Sequence, residues 1–186
     1  MFGARGLAEE TTVMIIGWNL SPREGGRAAC VCKGFRACVD RARATKGMLK
    51  SDLVCVAAGG GHMVACTARG VFSWGVNERG QLGHGGKVNE SVPRLVEALA
   101  GEKVVGGAGG GAHSVVFTEA GELFTFGRGE RGALGHGGDD DEFAPRLVQA
   151  LRGKKVLGAA GGTHTILITD TGEMFTCGEG DTGQLG

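Results

Sequence analysis

Proline is scarce, with three residues in 186, although glycine is abundant at 38. That imbalance excludes a Pro/Gly linker, and the glycines recur in register, as turns at fixed places do. Net charge is also missing: 20 Lys and Arg balance 20 Asp and Glu, which excludes a nucleic-acid binder acting along the whole chain. No run of apolar residues approaches a membrane span. The run Val13–Ile16 is too short for a secretory signal, and acids precede it. The six cysteines (30, 32, 38, 55, 66 and 177) are therefore read as reduced, in an intracellular protein of the cytoplasm and/or nucleus. No phosphate-binding G-x-x-x-x-G-K-[ST] occurs, and the glycine string 106–111 lacks the strand–turn–helix context of a dinucleotide loop.

What the sequence does have is a repeat. VFSWGVNERGQLGHGG at Val71–Gly86 returns as LFTFGRGERGALGHGG at Leu123–Gly138 and begins again as MFTCGEGDTGQLG at Met174–Gly186. His62, His113 and His164 fall 51 and 51 residues apart. A fixed period of this size marks a repeat architecture. Charge divides the chain as well. Residues 1–50 hold nine Lys/Arg against four acids, and the remainder 11 against 16, which predicts two modules.

The first module, 1–45, is predicted helical. Val13, Ile16, Leu20, Ala28, Val31, Cys32, Phe35 and Val39 are apolar at three- and four-residue spacing. Ser21-Pro22-Arg23-Glu24 is a helix start, with Ser as cap and Pro in the first turn. Leu7 with acids after it, Ile16 and Leu20 before Ser-Pro-Arg, and Ala29–Lys33 followed by Phe35-Arg36 resemble an F-box over about 37 residues. That module docks on a Skp1-type adaptor of cullin ubiquitin ligases. The chain departs from it at Ala8, where the family has Pro, and at Gly25-Gly26. An amphipathic helical cap on the next domain is the alternative. Residues 46–52 read as a linker.

From Leu53 the apolar period becomes that of strands. Each repeat (53–102, 103–153 and a shorter 154–186) has an apolar run, a Gly-rich bend, a His-led alternating strand, a Thr-x-x-Gly turn and a further strand. Gly70, Gly121 and Gly172 end those turns, where a residue at positive φ is needed. Pro93 and Pro145 lack a donor and belong at a strand edge or strand start. Four short strands per repeat make one propeller blade. The words Gly-Gly-Gly-His62, Trp74-Gly75 and Gly80-Gln81-Leu82-Gly83, with Pro93 following, resemble the repeats of the regulator-of-chromosome-condensation (RCC1) propellers. The resemblance implies a mainly β fold, an incomplete propeller of roughly 2.6 blades preceded by a small helical F-box-like region. Seven such blades need about 357 residues, so a fragment or truncated gene model is expected, with closure by other copies as the alternative.

The five histidines fall into two periodic sets: His62, His113 and His164 begin equivalent strands, and His84 and His136 follow Leu-Gly in equivalent turns. A residue repeated in every blade is expected to bond a neighbouring strand or turn rather than to catalyse or bind metal. Cys30, Cys32 and Cys38 lack a fourth zinc ligand and are assigned to helix packing, Cys55, Cys66 and Cys177 to small apolar strand positions. Asp139–Glu142 lacks EF-hand spacing and reads as a solvated loop. Lys33, Arg36, Arg41 and Arg43 read as a wet helix face.

No catalytic, cofactor or metal site follows from these residues. The two resemblances together imply a non-catalytic, substrate-recruiting subunit of a cullin-type ubiquitin ligase. Leu7, Ile16, Leu20, Val31 and Phe35 would bind the Skp1-like adaptor, and propeller loops would hold an unnamed target protein. A guanine-nucleotide exchange factor with a small GTPase as partner, and a plain propeller scaffold, are the alternatives. No membrane or nucleic-acid partner is expected.

Overall fold

The computed structural model describes residues 53–186. The predicted adaptor-binding residues Leu7, Ile16, Leu20, Val31 and Phe35, with the rest of the F-box-like segment, lie outside them.

Eleven strands form three antiparallel meanders. The first sheet is β1 (Leu53–Ala58), β2 (His62–Thr67), β3 (Gly70–Gly75) and β4 (Glu90–Leu95). The second is β5 (Val104–Gly109), β6 (His113–Thr118), β7 (Leu123–Gly127) and β8 (Glu142–Leu147). The third is β9 (Val156–Gly161), β10 (His164–Thr169) and β11 (Met174–Gly178). In each sheet the strands lie side by side in chain order. Pro93 and Pro145 occupy the outermost strands β4 and β8, where no ladder partner waits for the missing donor.

The hairpin turns differ in one respect from the predicted common three-residue loop. In the second and third sheets Thr118 and Thr169 N–H donate to Glu122 and Glu173 carbonyls across such a loop, with Gly121 at φ 89° and Gly172 at φ 79°. In the first, Thr67 pairs directly with Gly70, leaving a two-residue turn of Ala68 and Arg69. The Thr67 hydroxyl then bonds the Gly70 carbonyl at 2.9 Å and Gly70 takes φ 132°, so the shorter turn also depends on glycine.

The core lies between the sheets. Val64, Cys66 and Val71 meet Val104, Val116 and Phe126 across the first boundary. Val115, Phe117 and Leu123 meet Val156 and Leu167 across the second. Both faces of the middle sheet are thus covered, and every residue of β6 is buried, so its strict alternation of inside and outside is lost. The corresponding face of the third sheet has no described element upon it. Ile168 is 48% exposed and Met174 66%, where the equivalent Phe117 and Leu123 of the middle sheet are 9% and 2%.

The Gly-rich bends mark the closest approach of neighbouring sheets. Gly60 N–H donates to the Gly110 carbonyl at 3.0 Å, and Gly111 N–H to Gly162 at 2.8 Å. A Cβ on Gly109 would come within 2.6 Å of the Ala58 backbone, and one on Gly161 within 2.9 Å of Gly110. A side chain there would force the inner strands apart.

Candidate interaction surface

The long loops following β3 and β7, and the segment following β11, carry the Gly-x-Leu-Gly words, with Gln81, Ala133 and Gln184 at the variable position. A hydroxyl on the third strand holds each from below. Ser73 Oγ donates to the Leu82 carbonyl at 2.6 Å, Thr125 Oγ1 to Leu134 at 2.7 Å, and Thr176 Oγ1 to Leu185 at 2.9 Å. His84 Nε2 lies 3.0 Å from Ser73 Oγ, and His136 Nε2 3.0 Å from Thr125 Oγ1. Because each hydroxyl has spent its hydrogen on a carbonyl, each imidazole must donate through Nε2–H. Burial first, and then Arg94 or Arg146 nearby, hold both rings below the ordinary histidine range, so they are neutral donors at pH 7.

The other histidine set joins one sheet to the next. Ser114 Oγ donates to the Gln81 carbonyl of the preceding loop at 2.7 Å and lies 2.8 Å from His62 Nε2. Thr165 Oγ1 donates to Ala133 at 2.8 Å and lies 2.9 Å from His113 Nε2. The same proton count makes His62 and His113 Nε2–H donors. Burial pushes both down to about 4. Their rings lie over glycine: a Cβ on Gly59 would sit 2.1 Å from His62 Cε1, and one on Gly110 2.2 Å from His113 Cε1. This is the physical content of the Gly-Gly-x-His word, and for His62, His113, His84 and His136 it bears out the structural role expected of the periodic histidines, whereas His164 Nδ1 is buried without a partner.

Sequence reasoning missed the buried Asn77. Its Oδ1 accepts from Leu82 N–H at 2.9 Å, and its Nδ2 donates to the Gly86 and Val88 carbonyls at 2.9 and 3.0 Å. The second repeat has Gly129 there, and Gly129 N–H donates to Asp141 Oδ1 at 3.1 Å. The Asp139–Glu142 loop is thus only partly the solvated loop expected. Asp139 and Asp140 are exposed, while Asp141 and Glu142 are half-buried and paired with Arg79 and Arg146. The signal was the change from Asn to Gly at one register position.

Above these clamps the loop tips are charged and exposed. Arg79 reaches Asp141 of the next repeat at 3.3 Å. Arg131 reaches Glu179 at 2.7 Å and also pairs with Asp181. Arg131 holds φ 58° without being glycine, and Lys87 lies 5.1 Å from the centre of the Phe143 ring. Loops fixed at the base, bearing long charged side chains at the tip, can present a preorganised polar surface to another macromolecule. No group of three or more potential metal ligands occurs among the described residues.

Comparison with known proteins agrees with this geometry. The model of the regulator of chromosome condensation (RCC1) repeat matches residues 70–117 and 120–168, and a second model of the same description matches 53–81 and 157–184. The chain belongs to the RCC1-repeat family. Its three sheets are RCC1-type propeller blades. The human E3 ubiquitin-protein ligase HERC2 is 44% identical over 137 residues, covering 72% of this chain and 3% of that protein. The ultraviolet-B receptor UVR8 of Arabidopsis thaliana is 37% identical, covering 70% and 30%. The crystal structure of human WBSCR16 superposes with a TM-score of 0.62 at 28% identity, covering 69% of this chain and 34% of that one. Prp20p of Saccharomyces cerevisiae gives 0.61 at 28%, covering 72% and 34%. The chain therefore spans only a small part of its curated relatives and about a third of these solved chains.

Proposed function

We propose that this protein is a non-catalytic interaction module whose blade loops hold a protein target for ubiquitin transfer. The observation that carries the reading is the loop construction: each Leu-Gly loop is bound to its own blade by Ser73, Thr125 or Thr176. Two of them are also bound to the next blade, by Ser114 or Thr165. A rigid scaffold that displays Arg79 and Arg131 suits recognition of a folded partner. Similarity to HERC2, named an E3 ubiquitin-protein ligase, supports the ubiquitin context. In this reading the N-terminal segment docks on a Skp1-type adaptor through Leu7, Ile16, Leu20, Val31 and Phe35. Recovery of the adaptor by the full chain should fall with Leu20→Asp and Phe35→Asp, and unchanged recovery would reject the docking role. Arg79→Glu with Arg131→Glu should remove the target from captured proteins while circular dichroism stays unchanged. Retention of every captured protein would reject the loop role.

A second reading, a guanine-nucleotide exchange factor for a small GTPase, draws support from Prp20p, which binds Gsp1p and histones. A nucleotide-release assay on the full chain separates the two, since the recruiting module accelerates no release.

A further inference from the structure

The first repeat departs from the other two at one cross-strand pair. In the second sheet Gly106 lies opposite Phe117, and a Cβ on Gly106 would come within 2.1 Å of the ring. In the third, Gly158 lies opposite Ile168, whose methyl would be 3.4 Å from such a Cβ. Two of the sheets thus place glycine under a large apolar side chain. The first sheet replaces both members, and both replacements are cysteine: Cys55 lies opposite Cys66.

Directly opposed residues of an antiparallel pair have Cα atoms roughly 4.5–5.5 Å apart, inside the roughly 4.4–6.8 Å range that a disulfide spans. The register therefore places the two cysteines within reach of a bridge. The ladder is irregular between Leu53 and Cys55, beside the pair. The two thiols differ in exposure: Cys66 is fully buried in the core between the first two sheets, whereas Cys55 is half-buried at its margin and open to a small reagent. The facing thiol, first of all, holds Cys55 below the ordinary thiol range and Cys66 above it, where burial raises it further. Cys177, the remaining described cysteine, contacts the Ala133 carbonyl in another blade and faces no cysteine across its strand pair among the described residues.

We propose that Cys55 and Cys66 are a peroxide-reactive dithiol that closes into a cross-strand disulfide within the first blade. The Cys55 thiolate attacks one oxygen of hydrogen peroxide. The O–O bond breaks, hydroxide leaves and is protonated to water, and Cys55 becomes a sulfenic acid. The Cys66 sulfur then attacks the Cys55 sulfur. The S–S bond forms, the S–O bond breaks, and the departing hydroxide takes the Cys66 proton as a second water. Two thiols lose two electrons in all, and one peroxide is reduced.

Cleavage after Lys50 and Arg69 releases both residues on the single tryptic peptide 51–69, which makes the test direct. The full chain is treated with dilute hydrogen peroxide, quenched, denatured, alkylated, digested and weighed. The peptide is expected to lose two hydrogens and to take up no alkylating group until a reductant is added. Oxidation of Met63 adds an oxygen and is resolved by mass. In Cys66→Ser the sulfenic acid on Cys55 should be trapped by a cyclic 1,3-diketone, and in Cys55→Ser the Cys66 thiol should remain free. Two alkyl groups on the wild-type peptide after treatment, or a bridge from either cysteine to Cys177 instead, would overturn the proposal.

Discussion

His62 and His113 each have one proton to place and one hydroxyl, on the neighbouring blade, to receive it. The His62 Nδ1 is buried without a partner, so a second proton has no acceptor there. Burial takes both rings down to about 4, and for His113 the neighbouring His62 and His164 rings add to it. The sign of the consequence is fixed. Between pH 6.5 and about 4 the unfolded chain binds protons that the folded chain refuses, so stability is complete above pH 6.5 and declines as pH falls. Each ring removes up to roughly 3 kcal/mol by pH 4. Denaturant midpoints at pH 7 and pH 4.5 should show the decline, and His62→Asn with His113→Asn should flatten it. A wild-type slope no steeper than the double variant's would contradict the assignment. Glycine offers a second test at this scale. Gly110→Ala drives a methyl into the His113 ring, whereas Gly138 has open space around it. Urea melts should show a loss of about 2 kcal/mol or more for the first and under about 0.5 kcal/mol for Gly138→Ala.

At the scale of the element, the loop between β3 and β4 is organised by a side chain as well as by its own backbone turns. Asn77→Ala strips an acceptor from Leu82 N–H and a donor from two carbonyls. Several buried groups left unpaired should cost about 2–4 kcal/mol. Hydrogen exchange should quicken at residues 82–89 and hardly change in β6. Strands, the hairpin glycines and the edge prolines were legible in the sequence because each follows from a local constraint: period two, positive φ, a missing donor. The role of the repeated histidines was legible in outline from their period alone. Asn77 was not, because its partners lie 5 to 11 residues away on a loop whose path no periodicity encodes. Nor was the two-residue turn at Ala68-Arg69, since Thr-x-x-Gly reads the same in all three repeats and only the pairing of Thr67 with Gly70 separates them. The opposition of Cys55 and Cys66 likewise required the register, which sequence spacing leaves open by one residue.

At the scale of the whole molecule, stability resides in the boundaries between blades. Phe126 is fully buried in the core that joins the first two sheets and rests on Gly83 of the preceding loop, its ring 3.0 Å from where a Cβ would be. Phe126→Ala should cost about 3–5 kcal/mol. Register-equivalent residues should differ according to whether a blade covers them. Phe117→Ala belongs in the same costly range, while Ile168→Thr, on the uncovered face, should cost under about 1 kcal/mol. Equal losses at the two positions would mean that the boundary is not what stabilises the sheet.

The claim on which the rest depends is that a histidine of one blade and a hydroxyl of the next act as one unit that fixes the loop between them. A double-mutant cycle on His113 and Thr165, using His113→Ala, Thr165→Val and the pair, isolates that coupling. The account expects the double variant to lose about 1–2 kcal/mol less than the sum of the single losses. Additivity within about 0.3 kcal/mol would show that the two side chains act independently and would contradict it.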